Sequence, residues 1–197
     1  MMFMAKATGP VYDVPFKRRR KCLTNYAKRL ALVKGGKPRM VVRKSLRGIG
    51  VQFVSFGEKG DLTVAAANSR ELEKFGWTPR GNLPSAYLTG ALAGKRAKKK
   101  GISEFILDMG LASASKNALP FAAAKGAVDA GLKTSLSEEM IEESRIRGEH
   151  IANYAGKAKG AGTYEKLFGA YIKQGVQPEK LPEKFDAAKA AVLGKEQ

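Results

Sequence analysis

RMVVRKSLRGIGVQFVSFGEKGDLTVAA, residues 39–66, decides the fold. Three runs in it, 39–44, 49–56 and 61–66, are dense in Val, Ile, Phe and Thr, whose branched or flat side chains suit a pleated surface. Ser45-Leu46-Arg47-Gly48 and Gly57-Glu58-Lys59-Gly60 separate them as turns. Connections this short cannot make the crossover that a parallel pair requires, so the spacing predicts an antiparallel three-strand meander.

Downstream the period changes. Asn82 and Pro84 open a helix whose Leu88, Ala91, Leu92 and Lys95 mark an amphipathic face, and Lys98-Lys99-Lys100-Gly101 closes it. Gly90 and Gly94 lack a Cβ, which predicts close packing of this helix on the sheet. Glu104-Phe105-Ile106-Leu107-Asp108 reads as a compact buried strand, and residues 117–131 as an alanine-rich helix with Phe121, Ala124 and Val128 inward. Three strands, helix, strand, helix is the order of a meander joined to a right-handed strand-helix-strand unit, hence an α/β domain with a mixed sheet. From Ser135 the pattern is helical only. Ser137-x-x-Met140 begins an acidic first turn with Glu138, Glu139, Glu142 and Glu143, and helices fit 163–173 and 183–193. Breaks at Gly156, Gly160, Gly162 and Pro178 predict an extension wrapped on a partner. The chain thus divides into a basic arm (1–23), an α/β domain (24–134) and a helical C-terminal extension (135–197).

Upstream the signal is charge. Residues 1–50 hold fourteen Lys and Arg against one acid, Asp13, so they carry +13 of the chain's +18, whereas residues 101–197 hold thirteen of each sign. Cations concentrated at one end favour a polyanion there through counterion release. Residues 5–23 contain Pro10, Pro15, the run Lys17-Arg18-Arg19-Arg20-Lys21 and no apolar periodicity, which predicts an extended arm, disordered in isolation. Thr24 or Asn25 caps a short basic helix with Tyr26, Leu30 and Val33 on one face and Lys28 and Arg29 on another, stopped by Gly35-Gly36 and Pro38. Tyr26 has two readings, a base-stacking ring or a packed core residue. Lys98–Lys100 has two as well, stabilisation of a helix end or contact with nucleic acid.

Several classes fall away. The longest apolar runs, such as Val64-Ala65-Ala66-Ala67, are far below the roughly 20 residues that span a bilayer, and Met1-Met2-Phe3-Met4 is too short for a signal core. The expectation is a cytoplasmic protein with no membrane partner. One cysteine, Cys22, and one histidine, His150, give no disulfide and no zinc site. Cys22 follows five cations, which would activate its thiolate; the alternative is an incidental small residue. Gly90-Ala91-Leu92-Ala93-Gly94-Lys95-Arg96 is one spacer short of a phosphate loop and lacks its Ser or Thr, and Gly48-Ile49-Gly50 lacks the third glycine of a dinucleotide fingerprint. Asp108 ends a strand where an α/β site would sit, yet a two-metal nuclease needs several carboxylates, and the first strand supplies Arg39, Arg43 and Lys44. His150 has no evident nucleophile. No catalytic residue, metal, cofactor or small-molecule substrate is expected. Three readings remain: a structural RNA binder, a nucleic-acid-processing enzyme of ribonuclease H type, and a DNA-compacting protein.

Specific motifs separate them. Ala7-Thr8-Gly9-Pro10, Val14-Pro15-Phe16-Lys17-Arg18-Arg19-Arg20, Thr24-Asn25-Tyr26-x-x-Arg29-Leu30, residues 36–45 (GKPRMVVRKS), Phe75-Gly76-Trp77, residues 81–90 (GNLPSAYLTG), residues 107–111 (LDMGL), residues 126–132 (GAVDAGL) and residues 147–152 (RGEHIA) cover nearly the whole chain. Together they resemble the universal large-subunit ribosomal protein eighteen, in its archaeal and eukaryotic form. Leu46-Arg47 departs from the polar pair usual in that turn, and three extra residues precede Lys6. The resemblance implies a structural protein of the large ribosomal subunit. It would attach 5S rRNA in the central protuberance, also touch 23S rRNA and neighbouring ribosomal proteins, and carry a ribonuclease H-like motif without the nuclease carboxylates. Carried over by motif, RNA contacts fall on Lys17, Arg18, Arg19, Arg20, Lys21, Thr24, Asn25, Tyr26 and Arg29, and at the first hairpin on Arg43, Lys44, Ser45 and Arg47. Arginine forks suit phosphates and base faces, and lysines add mobile charge.

Overall fold

The computed structural model describes residues 9–194, so the first eight residues of the expected arm lie outside the described residues. The three runs form β1 (Arg39–Lys44), β2 (Ile49–Gly57) and β3 (Gly60–Asn68), paired antiparallel in sequence. β4 (Ile106–Asp108) joins β1 in parallel, giving the order β3-β2-β1-β4. The second turn is tighter than its four-residue appearance, because Gly57 and Gly60 pair across Glu58-Lys59, with Gly60 at φ 119° where a side chain would be strained. Phe53 faces Ala65 but Val54 faces Thr63, so Val64 is an extra residue, a bulge. β4 is shorter than the run 104–108 and only partly buried: Glu104 makes an isolated bridge to Lys133, and Ile106 and Leu107 are half-buried. Its edge position, with β1 as its single neighbour in the sheet, accounts for this.

Two helices lie before the sheet. α1 (Lys17–Arg20) is a single turn inside the segment expected to be extended, and it buries no residue. α2 (Tyr26–Lys34) is capped by Asn25, whose side-chain oxygen accepts the Lys28 N–H at 3.1 Å. Of the expected apolar face, Tyr26 and Val33 are half-buried but Leu30 is 55% exposed, while half-buried Arg29 turns to an acid on β3. An ion pair outcompetes a leucine here because the sheet face beneath α2 carries charge.

α3 (Leu83–Lys99) begins with the Asn82 cap and Pro84. Residues 83–94 are buried all round, against the expectation of one amphipathic face, because the sheet, α4 (Leu119–Asp129) and a C-terminal helix all pack on it. The glycines serve the α4 contact rather than the sheet. A Cβ at Gly90 would lie 2.0 Å from the Ala123 carbonyl oxygen, one at Gly94 2.9 Å from Ala127 Cα, and one at Gly126 of α4 2.1 Å from the Tyr87 carbonyl oxygen. Period-two alternation sends Met40, Val42, Ile49, Val51, Phe53, Ala65 and Ala67 into the core with these helices.

The acidic segment is broken where one helix start was expected. A 3₁₀ turn, Glu138–Met140, precedes α5 (Glu143–Arg147), and Gly148 at φ 82° separates it from α6 (Glu149–Gly160). α7 (Tyr164–Ile172) and α8 (Leu181–Gly194) follow. Among the described residues these helices pack on their own chain: Leu181, Phe185, Ala188 and Val192 of α8 enter the main core. The Phe185 ring sits 6.1 Å from Trp77 and 5.4 Å from Tyr87. Lys95 donates to the carbonyls of Val192 at 2.9 Å and Leu193 at 2.6 Å, satisfying the last turn of α8. A smaller cluster of Ala155, Ala158 and Phe168 holds α6 to α7.

Candidate nucleic-acid interface

The face of the sheet opposite the core carries Arg39, Val41, Arg43 and Gln52. Arg39 is 3% exposed and must be neutralised. Its guanidinium donates to Asp108 Oδ2 at 3.1 Å and to Asp61 Oδ1 at 2.7 Å, and Arg29 takes the other Asp61 oxygen at 2.8 Å. Arg43 approaches Asp108 Oδ1 at 3.3 Å and donates to the Asp108 carbonyl at 3.0 Å; the Gly110 N–H also donates to Oδ1, at 2.8 Å. Asp108, placed where an α/β catalytic acid would sit, therefore has both carboxylate oxygens occupied by arginines. Among the described residues no three His, Cys, Asp or Glu side chains come together as metal ligands.

Two basic surfaces flank this network. On the arm, Lys17, Arg18, Arg19, Arg20 and Lys21 are all exposed, and Arg18 is steadied by donating to Thr24 Oγ1 at 2.8 Å. Tyr26 is half-buried with its ring 5.5 Å from Phe16, so it anchors the arm to α2 rather than entering the core. At the β1–β2 turn, Arg43, Lys44, Ser45 and Arg47 line an opening of about 320 Å³ together with Arg70. The Ser45 hydroxyl donates to the Gly48 carbonyl at 3.0 Å, and Leu46 is fully exposed. Arg43 also lines a cleft of about 980 Å³ between the arm, α2 and the sheet, so the two surfaces are continuous through it.

The family model described as "Ribosomal large subunit proteins 60S L5, and 50S L18" matches residues 11–105, which span the described arm, α2, the first three strands and α3. The Large ribosomal subunit protein uL18 of Korarchaeum cryptofilum (strain OPF8) is 49% identical over 178 residues, covering 89% of this chain and 91% of that relative. The chain belongs to the uL18 family. It is accordingly a structural constituent of the large ribosomal subunit and not an enzyme, with ribosomal RNA and neighbouring ribosomal proteins as its surroundings.

In this uL18-family chain the sequence-predicted site residues do not all remain available. Arg29 is committed to Asp61 and Arg43 in part to Asp108, and the side-chain oxygen of Asn25 is taken by the helix cap. Arg70 was missed; the antiparallel register that pairs Gly50 with Asn68 brings it to the β1–β2 turn, a signal readable only once that register is fixed. The lysine cluster ending α3 acquires a definite role at one position. Lys100 donates to the Val64 carbonyl at 2.5 Å and Arg96 to the Ala66 carbonyl at 2.7 Å, covering outward carbonyls of the edge strand β3. Arg96 also pairs with Glu71 at 2.6 Å; burial pushes that carboxyl up, but Arg96 and the Asn68 N–H outweigh it and hold the pKa below the usual value. The His150 imidazole makes no hydrogen bond among the described residues, and burial, then the Arg145 charge, lowers its pKa.

Proposed function

We propose that this chain binds 5S rRNA and helps attach it to the large subunit in the central protuberance, while also touching 23S rRNA. The observation that carries the reading is the continuous basic surface running from Lys17–Lys21 through Arg43 to Lys44 and Arg47. Exposed arginine forks there would engage phosphates bidentately, and Thr24, Asn25, Tyr26 and Ser45 would hold the backbone that presents them. The buried sheet and its helices act as the scaffold, a ribonuclease H-like motif used for position rather than cleavage. In this division of labour residues 1–23 are the RNA-binding arm, 24–134 the 5S rRNA-binding domain, and 135–197 the part that meets neighbouring subunit components.

α1 buries no side chain, so phosphate contacts must supply what offsets the roughly 1–2 kcal/mol per residue of backbone ordering. Arg18, Arg19 and Arg20 replaced together by alanine should lower 5S rRNA affinity and flatten the dependence of log K on log salt by about 0.7–0.9 per lost contact. The thermal midpoint should stay put, because all three side chains are exposed. Binding assays across a salt series check this; an unchanged affinity and slope would remove the arm from the interface. Deleting 135–197 is a poorer probe than it looks in the sequence, since it strips α8 from Trp77 and Tyr87 and disturbs the fold together with assembly.

A further inference from the structure

The outer face of the sheet is covered over only part of its area. α2 and the Arg29–Asp61–Arg39 network close the end where Val54 lies, leaving it 6% exposed. The next row, Val41, Gln52 and Ala66, is paired across β1, β2 and β3; Val41 and Gln52 open into the cleft of about 980 Å³. That is the scale of sites that enclose small ligands, about 300–1,000 Å³.

The chemistry inside the cleft is selective. Asp61 and Asp108 are already held by arginines, whereas the exposed Gln52 amide makes no hydrogen bond among the described residues. A free primary amide offers two donors and an acceptor at once, the complement of an unpaired base edge. Half-buried Val41 gives an apolar floor beside it, and across β4 the cleft is walled by Leu111, which is 58% exposed. Lys28 and Arg43 stand on the rim, and the lining holds five cationic against two acidic side chains, an excess suited to phosphate.

We propose that this cleft takes one unstacked nucleotide of the bound RNA. Its base lies on Val41 toward Leu111, the Gln52 amide bonds its edge, and its phosphates meet Lys28 and Arg43. Single-stranded RNA is commonly read in this manner, through splayed bases whose edges are hydrogen-bonded. The proposal rests on the RNA-binding reading above and adds a contact that discriminates bases to one that counts charges.

The test uses the full chain and 5S rRNA across a salt series. Gln52→Leu should lower affinity about five- to tenfold with an unchanged slope of log K against log salt, because the amide neutralises no phosphate. Its exposed position leaves the thermal midpoint where it was. Independently, the methyl resonances of Val41 and Leu111 should shift on RNA addition. Wild-type affinity in Gln52→Leu, a slope that falls along with affinity, or unmoved methyl resonances each overturn the cleft while leaving RNA binding by the arm intact. Absence of 5S rRNA binding by the unaltered chain overturns the function itself, and the cleft with it.

Discussion

Gly90→Ala should cost this protein about 3 kcal/mol or more, lowering its midpoint by roughly 10 °C, because the added Cβ would sit 2.0 Å from the Ala123 carbonyl oxygen. Backbone cannot yield as a side-chain tip does, so α3 and α4 must separate along the contact that carries Gly94 and Gly126 as well. Gly126→Ala should behave similarly, meeting the Tyr87 carbonyl oxygen at 2.1 Å. Gly156→Ala is the control: it lies inside α6 with nothing within 4 Å of the new methyl, and it should gain about 0.5–1 kcal/mol from helix propensity. Denaturant unfolding of the three variants checks the contrast, and equal midpoints for Gly90→Ala and Gly156→Ala would show that the two helices are not in backbone contact.

The second large effect is expected at Asp108. Removing its carboxylate leaves Arg39, 3% exposed, with Asp61 alone and releases Arg43 and the Gly110 N–H. Breaking a buried pair from one side costs about 3–5 kcal/mol, and the surviving Asp61 contact places Asp108→Ala near the lower figure. Asp108→Asn keeps an oxygen acceptor and should lose only about 1–2 kcal/mol. Below their melting temperatures both variants should still bind 5S rRNA, since the exposed cations of the arm are untouched and Arg43, released from Asp108, keeps its charge on the basic surface. Thermal unfolding measured beside RNA binding separates the outcomes: a wild-type midpoint in Asp108→Ala would mean that the network does not hold the sheet face together.

The local sequence already contained the first three strands, a cap at Thr24 or Asn25 and another at Asn82, the start and stop of α3, and the concentration of positive charge before residue 24. These depend on neighbours a few residues apart: alternation, cap chemistry, glycine at turns, and charge density. Antiparallel pairing by short connections followed from them, whereas the place of β4 beside β1 came from the structure. The motifs that run from the arm to residue 152 also sufficed to place the chain in its family, which the 49% identical relative then showed.

What meets what was settled in tertiary structure. Gly90 and Gly94 announce a close approach but not its partner, and the partner is α4 because Gly126 completes a contact that a sheet with side chains on every strand would not accept as closely. Arg29 and Arg39 look alike in sequence to the free arginines of the arm. Arg39 is buried and Arg29 is tied down beside it because Asp61 and Asp108, 22 and 69 residues from Arg39, fold against the same face. α8 reads as a neutral peripheral helix until Phe185 is seen between Trp77 and Tyr87. The physical reason is common to all three. Periodicity and charge report which surfaces a segment can offer, while the free energy that selects among them comes from contacts between segments far apart in the chain, and those are formed only when the whole core closes.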